Sequence, residues 1–235
     1  MKRLAAAAAV IFMGLFASTA HADLARGRAA FEQGNYTLAY QELIPDAQTG
    51  NGEAEYLIGE MAADGLGMSR SYALAARWYA MAARAGYEPA NLTLGLLYLH
   101  GAGDEDDPTA VAADPSKAVP YIQAAAHSGD RNAEYLLGQL YFQGTGVPQD
   151  FARAYEYTLK AANAALPEAE YNAGIMALKG AGTTANPVEA YKWFALAAAA
   201  HYPGAEQNRQ AVLGQLSPED AVKAKALVDA FRPTP

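Results

Sequence analysis

Four times along the chain a glycine is followed six and eight residues later by two more: Gly59/Gly65/Gly67, Gly95/Gly101/Gly103, Gly138/Gly144/Gly146 and Gly174/Gly180/Gly182. The first glycines stand 36, 43 and 36 residues apart, so only the second interval is long, by seven residues. A period of this size marks stacked supersecondary units, none of which can bury its apolar face alone. Each glycine has a physical role. Ala133, Leu137 and Tyr141, with Leu136 and Leu140 beside them, recur at helical spacing around the first glycine of the third repeat, which predicts a first helix there. A glycine inside a helix costs about 1 kcal/mol relative to alanine, so its presence implies close approach of a neighbouring helix. The second glycine is placed to end that helix in a left-handed cap, and the G-x-G pair forms the turn.

Twelve residues after the first glycine come Ser71, Asp150 and Asn186, and with the seven-residue insertion the same register holds Asp114. All four are strong helix N-caps, and Pro115 and Pro187 follow two of them at the favoured first helical position. The second helix of each repeat then carries an aromatic (Trp78, Tyr121, Tyr157, Trp193) and an alanine pair (Ala82-Ala83, Ala125-Ala126, Ala161-Ala162, Ala197-Ala198). Large and small residues thus alternate on a packing face, as stacked helical hairpins require. Upstream, residues 23–50 predict one further hairpin, with Gly50 and Gly86 again 36 apart. Downstream, residues 204–235 predict capping helices, with Ser217-Pro218-Glu219-Asp220 as a start signal, Ala221, Ala224, Val228 and Phe231 as one apolar face, and a frayed tail from Arg232.

The insertion lies within residues 104–113 and includes the acidic run Asp104, Glu105, Asp106 and Asp107. Pro120 falls within the following helix, where proline removes a backbone bond, and predicts a kink or a loose first turn. The aligned positions Arg77, Glu156 and Lys192 are charged, so Pro120 is expected to face water.

The stretch AEYLLGQLYFQGTGVPQDFARAYEYTLKAA, residues 133–162, and its counterparts across 52–201 resemble the Sel1-like repeat family, relatives of the tetratricopeptide repeat. The resemblance implies an all-α, right-handed α/α superhelical solenoid of helix-turn-helix repeats, here four of them over residues 51–203. It also implies a protein that scaffolds or regulates other proteins, often in the bacterial periplasm. Cysteine-rich relatives are associated with binding or hydrolysing β-lactams, but this chain has no cysteine.

Lys2 and Arg3 precede an uncharged apolar run, Leu4 to Phe16, and Ala20-His21-Ala22 closes the segment. This layout predicts a signal peptide over residues 1–22, cut after Ala22, and a periplasmic or secreted chain beginning at Asp23. The run is short and alanine-rich for a membrane span, so no span is expected in the mature form. Loss of Lys2 and Arg3 takes the net charge from −8 to −10. A surface of that sign repels polyanions and disfavours nucleic acid as a partner.

No serine has a lysine three residues on, and neither a G-x-S-x-G elbow nor a phosphate-binding glycine loop is present. His100, His127 and His201 are expected at the ends of three different helices, beside the C-terminal dipole, and are not spaced as a metal pair. The acidic run has the chemistry to attract calcium but lacks the alternation of an EF-hand loop. No catalytic residue, cofactor or metal ligand is therefore assigned.

The candidate site is a protein-binding face on the concave side of the first helices. One register places Tyr56, Leu92, Tyr135 and Tyr171 in a row, and four residues later come Glu60, Leu96, Gln139 and Ile175. Tyrosine supplies contact area and a hydroxyl at low entropy cost, while the second row varies as a partner-specific surface would. Packing of the tyrosines between hairpins is the structural alternative for the first row. The expected partner is a protein, either the sensor domain of a membrane protein or an envelope complex, bound by a monomer. The acidic run is a second candidate element for partner choice. A hydrolase of the β-lactamase-like kind and a cell-wall or polysaccharide-binding module are the two other function classes compatible with the chain.

Overall fold

The computed structural model describes residues 24–234, and the expected signal peptide, with its cleavage point, lies outside them. Within the described residues the chain is all-α, and its only β-type pairing is one isolated bridge between Ala102 and Val111. Helix α1 covers residues 24–32, followed by α2 (Tyr36–Gln48), α3 (Gly52–Asp64), α4 (Tyr72–Arg84) and α5 (Pro89–His100). Then come α6 (Pro115–His127), α7 (Arg131–Gln143), α8 (Phe151–Asn163), α9 (Pro167–Lys179), α10 (Pro187–Ala199), α11 (Ala205–Leu213) and α12 (Pro218–Ala230). Two compact units meet in sequence between Asp114 and Pro115.

In the first unit α2, α3, α4 and α5 pack in chain order, around a core that includes Leu43, Ile58 and Met61. In the second unit α6 to α10 also pack in chain order, and α11 and α12 both lie on α10. There Tyr191, Phe194, Val212 and Ala224 form one cluster, and Trp193 joins the alanines of α8 and α9 in another. Phe231 meets Trp193 edge-on at 5.8 Å.

Three of the four predicted N-cap positions, Ser71, Asp150 and Asn186, tie the two helices of their repeat together. Ser71, Asp150 and Asn186 accept through their side chains from the N–H three residues on, at 3.2, 3.0 and 3.1 Å. Their own backbone N–H groups donate to carbonyls of the first helix, at Ala62, Tyr141 and Ala177. Asp114 N–H likewise donates to Tyr98 O at 2.6 Å. At Ser71, Asp150 and Asn186 one residue therefore starts the second helix and fixes it to the first, satisfying donors that a bare helix end leaves orphaned.

Gly65, Gly144 and Gly180 end their helices in the left-handed conformation, as expected. Gly101 differs, with φ 71° and ψ 177°, because the chain there leaves into the insertion rather than the short turn. The insertion is itself closed by the bridge from Ala102 to Val111. Helix α6 continues unbroken through Pro120, which is exposed as expected; no break occurs because the carbonyl that loses its partner, four residues earlier, belongs to exposed Ser116. The tail expected to fray donates a bond from Thr234 N–H to Asn163 O at 2.8 Å.

The second residue after α2, α4 and α6 adopts positive φ at Gly50, Gly86 and Gly129, and the same register continues after α8 and α10 with Ala165 (φ 55°) and His201 (φ 59°). The next N–H in each case closes a six-residue loop, for example Leu166 to Ala161 O and Tyr202 to Ala197 O, so the alanine pairs also terminate the helix. An L-residue there is strained by roughly 1–2 kcal/mol. Ala165→Gly is expected to raise stability by about 1 kcal/mol in urea unfolding. Gly182→Ala is expected to lower it by more than about 3 kcal/mol, since an added Cβ would overlap the Phe151 carbonyl at a φ of +77°.

Candidate functional site

The tyrosine row is a set of braces between successive repeats. Tyr56 Oη lies 3.3 Å from Thr93 Oγ1, Asn172 Nδ2 donates to Tyr135 Oη at 2.5 Å, and Asn208 Nδ2 donates to Tyr171 Oη at 2.9 Å. Partners are 37 residues apart in every case, one period plus one. The bond thus runs from one first helix to the next, and α11 receives the last of them. Leu92 occupies this register in the second repeat and has no hydroxyl. All four side chains are half-buried. Burial raises the pKa of Tyr56 and of Tyr135, so both phenols stay neutral and able to donate.

The second row stands one helical turn on. Glu60 acts on the pKa of Tyr56 in its own helix, and Gln139 on that of Tyr135. Glu60, Gln139 and Ile175 are half-buried and Leu96 is exposed at 38%. Burial holds the Glu60 carboxyl above its usual range, with the nearby Tyr56 hydroxyl opposing the rise and Asp64 adding to it. Tyr135, Gln139 and Ile175 share a cavity of about 180 Å³, also lined by Gly138, Phe142, Gln143, Thr158, Asn172 and Met176.

Glu55, Glu134 and Glu170 each precede a row tyrosine, a column that the sequence reading did not single out. Glu55 and Glu170 are 3% and 4% exposed, and Oε2 of Glu55 has no hydrogen-bond partner. Burial raises all three carboxyls, opposed by Arg84 at Glu55 and by Lys160 at Glu134. No opposing charge acts on Glu170, which burial pushes up to about 7.

The acidic run is a folded element. Asp107 accepts from Thr109 N–H at 2.8 Å and from Thr109 Oγ1 at 2.7 Å, and these bonds lower its pKa. Thr109 O in turn accepts from Ala73 N–H in α4, while Asp104, Glu105 and Asp106 remain exposed. Among the described residues no group of three or more His, Cys, Asp or Glu side chains is gathered to hold a metal. His100 and His127 are the last residues of α5 and α6, and His127 Nδ1 lies 2.6 Å from Gln123 O.

Paired helices of 12 or 13 residues, with first helices ended at glycine and braces at one period plus one, define an α-helical repeat solenoid. The Sel1 repeat model matches residues 52–87, 89–130, 131–166 and 167–202, and the chain belongs to the Sel1 repeat family. None of the curated proteins compared matches it in sequence. Among solved structures it is similar to a Sel1 repeat protein from Oxalobacter formigenes, with 23% identity, a TM-score of 0.71, and 90% of this chain and 86% of that one covered. Also similar are c5321, a protective antigen of uropathogenic Escherichia coli with an SLR fold, and a putative Sel1 repeat protein of Klebsiella pneumoniae. The first has 23% identity and a TM-score of 0.49, with 83% of this chain and 48% of that one covered. For the second the values are 22%, 0.45, 82% and 92%.

The unfolded Glu170 carboxyl releases its proton near 4.5 and the folded one near 7. Between those values the native state holds more protons, so stability falls as pH rises through that window. Glu170→Gln is expected to flatten the fall and to gain on the order of 2 kcal/mol at pH 8, read from denaturant midpoints at pH 4 and pH 8.

Proposed function

We propose that the protein is an exported, non-catalytic interaction module that binds another envelope protein through the first helices of its repeats. The observation that carries this is the contrast between frame and surface. The first, third and fourth repeats share the left-handed glycine turn and the tyrosine brace, while the residue one turn after the row position is in turn an acid, a leucine, an amide and an isoleucine: Glu60, Leu96, Gln139 and Ile175. A constant scaffold with varied chemistry at one partly exposed register suits recognition of an irregular partner. The charged start, apolar run and Ala20-His21-Ala22 support export. The net negative charge supports a protein partner over nucleic acid.

Expression in a Gram-negative host should yield a periplasmic protein whose N-terminal sequence begins at Asp23. The full-length form in the cytosol would refute export. Affinity capture from envelope extracts should retain a partner that is lost with Gln139→Lys/Ile175→Lys at unchanged helix content. Nitrocefin turnover by the purified protein, with no partner retained, would favour a hydrolase instead.

A further inference from the structure

The cavity of the third repeat is a place from which a ring is missing. Twenty residues after the first glycine, the first and fourth repeats carry Tyr79 and Phe194. Each ring lies on its glycine, 2.7 Å from where a Cβ would stand, and packs against the row tyrosine of its own repeat. The ring centroids are 5.4 Å apart for Tyr56–Tyr79 and 5.6 Å for Tyr171–Phe194. The third repeat keeps the glycine, Gly138, and the row tyrosine, Tyr135, but has Thr158 at the ring position. Helix α8 has closed part of the gap, bringing Ala154 O and Thr158 N to 3.2 Å from the Gly138 Cβ position. About 180 Å³ nevertheless remains open, and among the described residues Tyr135 has no aromatic partner.

We propose that this cavity receives one phenyl or phenol side chain from a protein partner, which stacks on Tyr135 and completes the pair that the first and fourth repeats complete internally. The volume suits a single ring, since an apolar protein cavity of roughly 150 Å³ holds benzene. Phe142, Ile175 and Met176 supply apolar and sulfur contacts that favour an aromatic guest. The polar members are the neutral amides of Gln139, Gln143 and Asn172, which suit a phenol hydroxyl or the guest's own backbone. No charged residue lines the cavity, so a charged side chain would enter unpaired. The sister repeats accommodate a full ring over the same glycine.

This inference rests on the interaction reading above and is tested separately from it. With methyl-labelled Met and Ile, toluene should shift Met176 and Ile175 saturably in the unaltered protein and not in Thr158→Phe, whose own ring fills the space. Absence of a saturable shift, or an equal shift in the variant, overturns the proposal. Helix content of Thr158→Phe is checked by circular dichroism, and the toluene titration of the unaltered protein decides even if that variant misfolds. Random peptides displayed on phage and selected on the exported form should share one aromatic residue and bind Thr158→Phe at least about tenfold more weakly. Peptides that bind both forms equally would overturn the cavity proposal while sustaining the interaction reading. Failure to select any peptide would count against both.

Discussion

Close approach between the paired helices of a repeat is the constraint on which the rest of the structure depends. At Gly59 and Gly174 an aromatic ring of the second helix lies directly on the backbone of the first. Any side chain there would push the helices apart, and with them the turn and the next pair. The glycine is unfavourable for an isolated helix, and it is retained because the ring it admits buries far more apolar area than a β-carbon would. Local propensity therefore yields to packing at Gly59, Gly138 and Gly174.

From that contact follow the two other regularities. The N-cap residue holds the second helix to the first by backbone and side chain together, which fixes the turn length. The tyrosine brace holds one repeat to the next through a bond spanning one period plus one residue. Each of these tyrosines is thus held through its hydroxyl and is half-buried. Buried Glu55 and Glu170 lie beside these braces, and their cost shows that the frame is not optimised for stability alone.

The third repeat departs most informatively from this scheme. Replacing a ring by Thr158 removes volume without removing the glycine that made room for it. An unfilled void lowers stability through lost contacts, and sister repeats of one chain show the filled version of the same site. The strained Ala165 and His201, where other repeats have glycine, are a second case of one element carrying residues that its backbone does not favour.

The repeat period, the helical class, the caps and the registers of both rows were legible in the residues alone, because each depends on local rules of backbone sterics and hydrogen bonding. Asp150 and Asn186 could be assigned as caps from spacing alone. The bond between Tyr135 and Asn172, the tie of the acidic run through Thr109 to α4, and the cavity that Thr158 leaves beside Ile175 emerge from long-range packing. The column Tyr79, Ile122, Thr158, Phe194 was legible as a series of sizes. Whether a small member leaves space or is closed over depends on how far neighbouring helices move to fill it, and that is set by contacts distant in the chain.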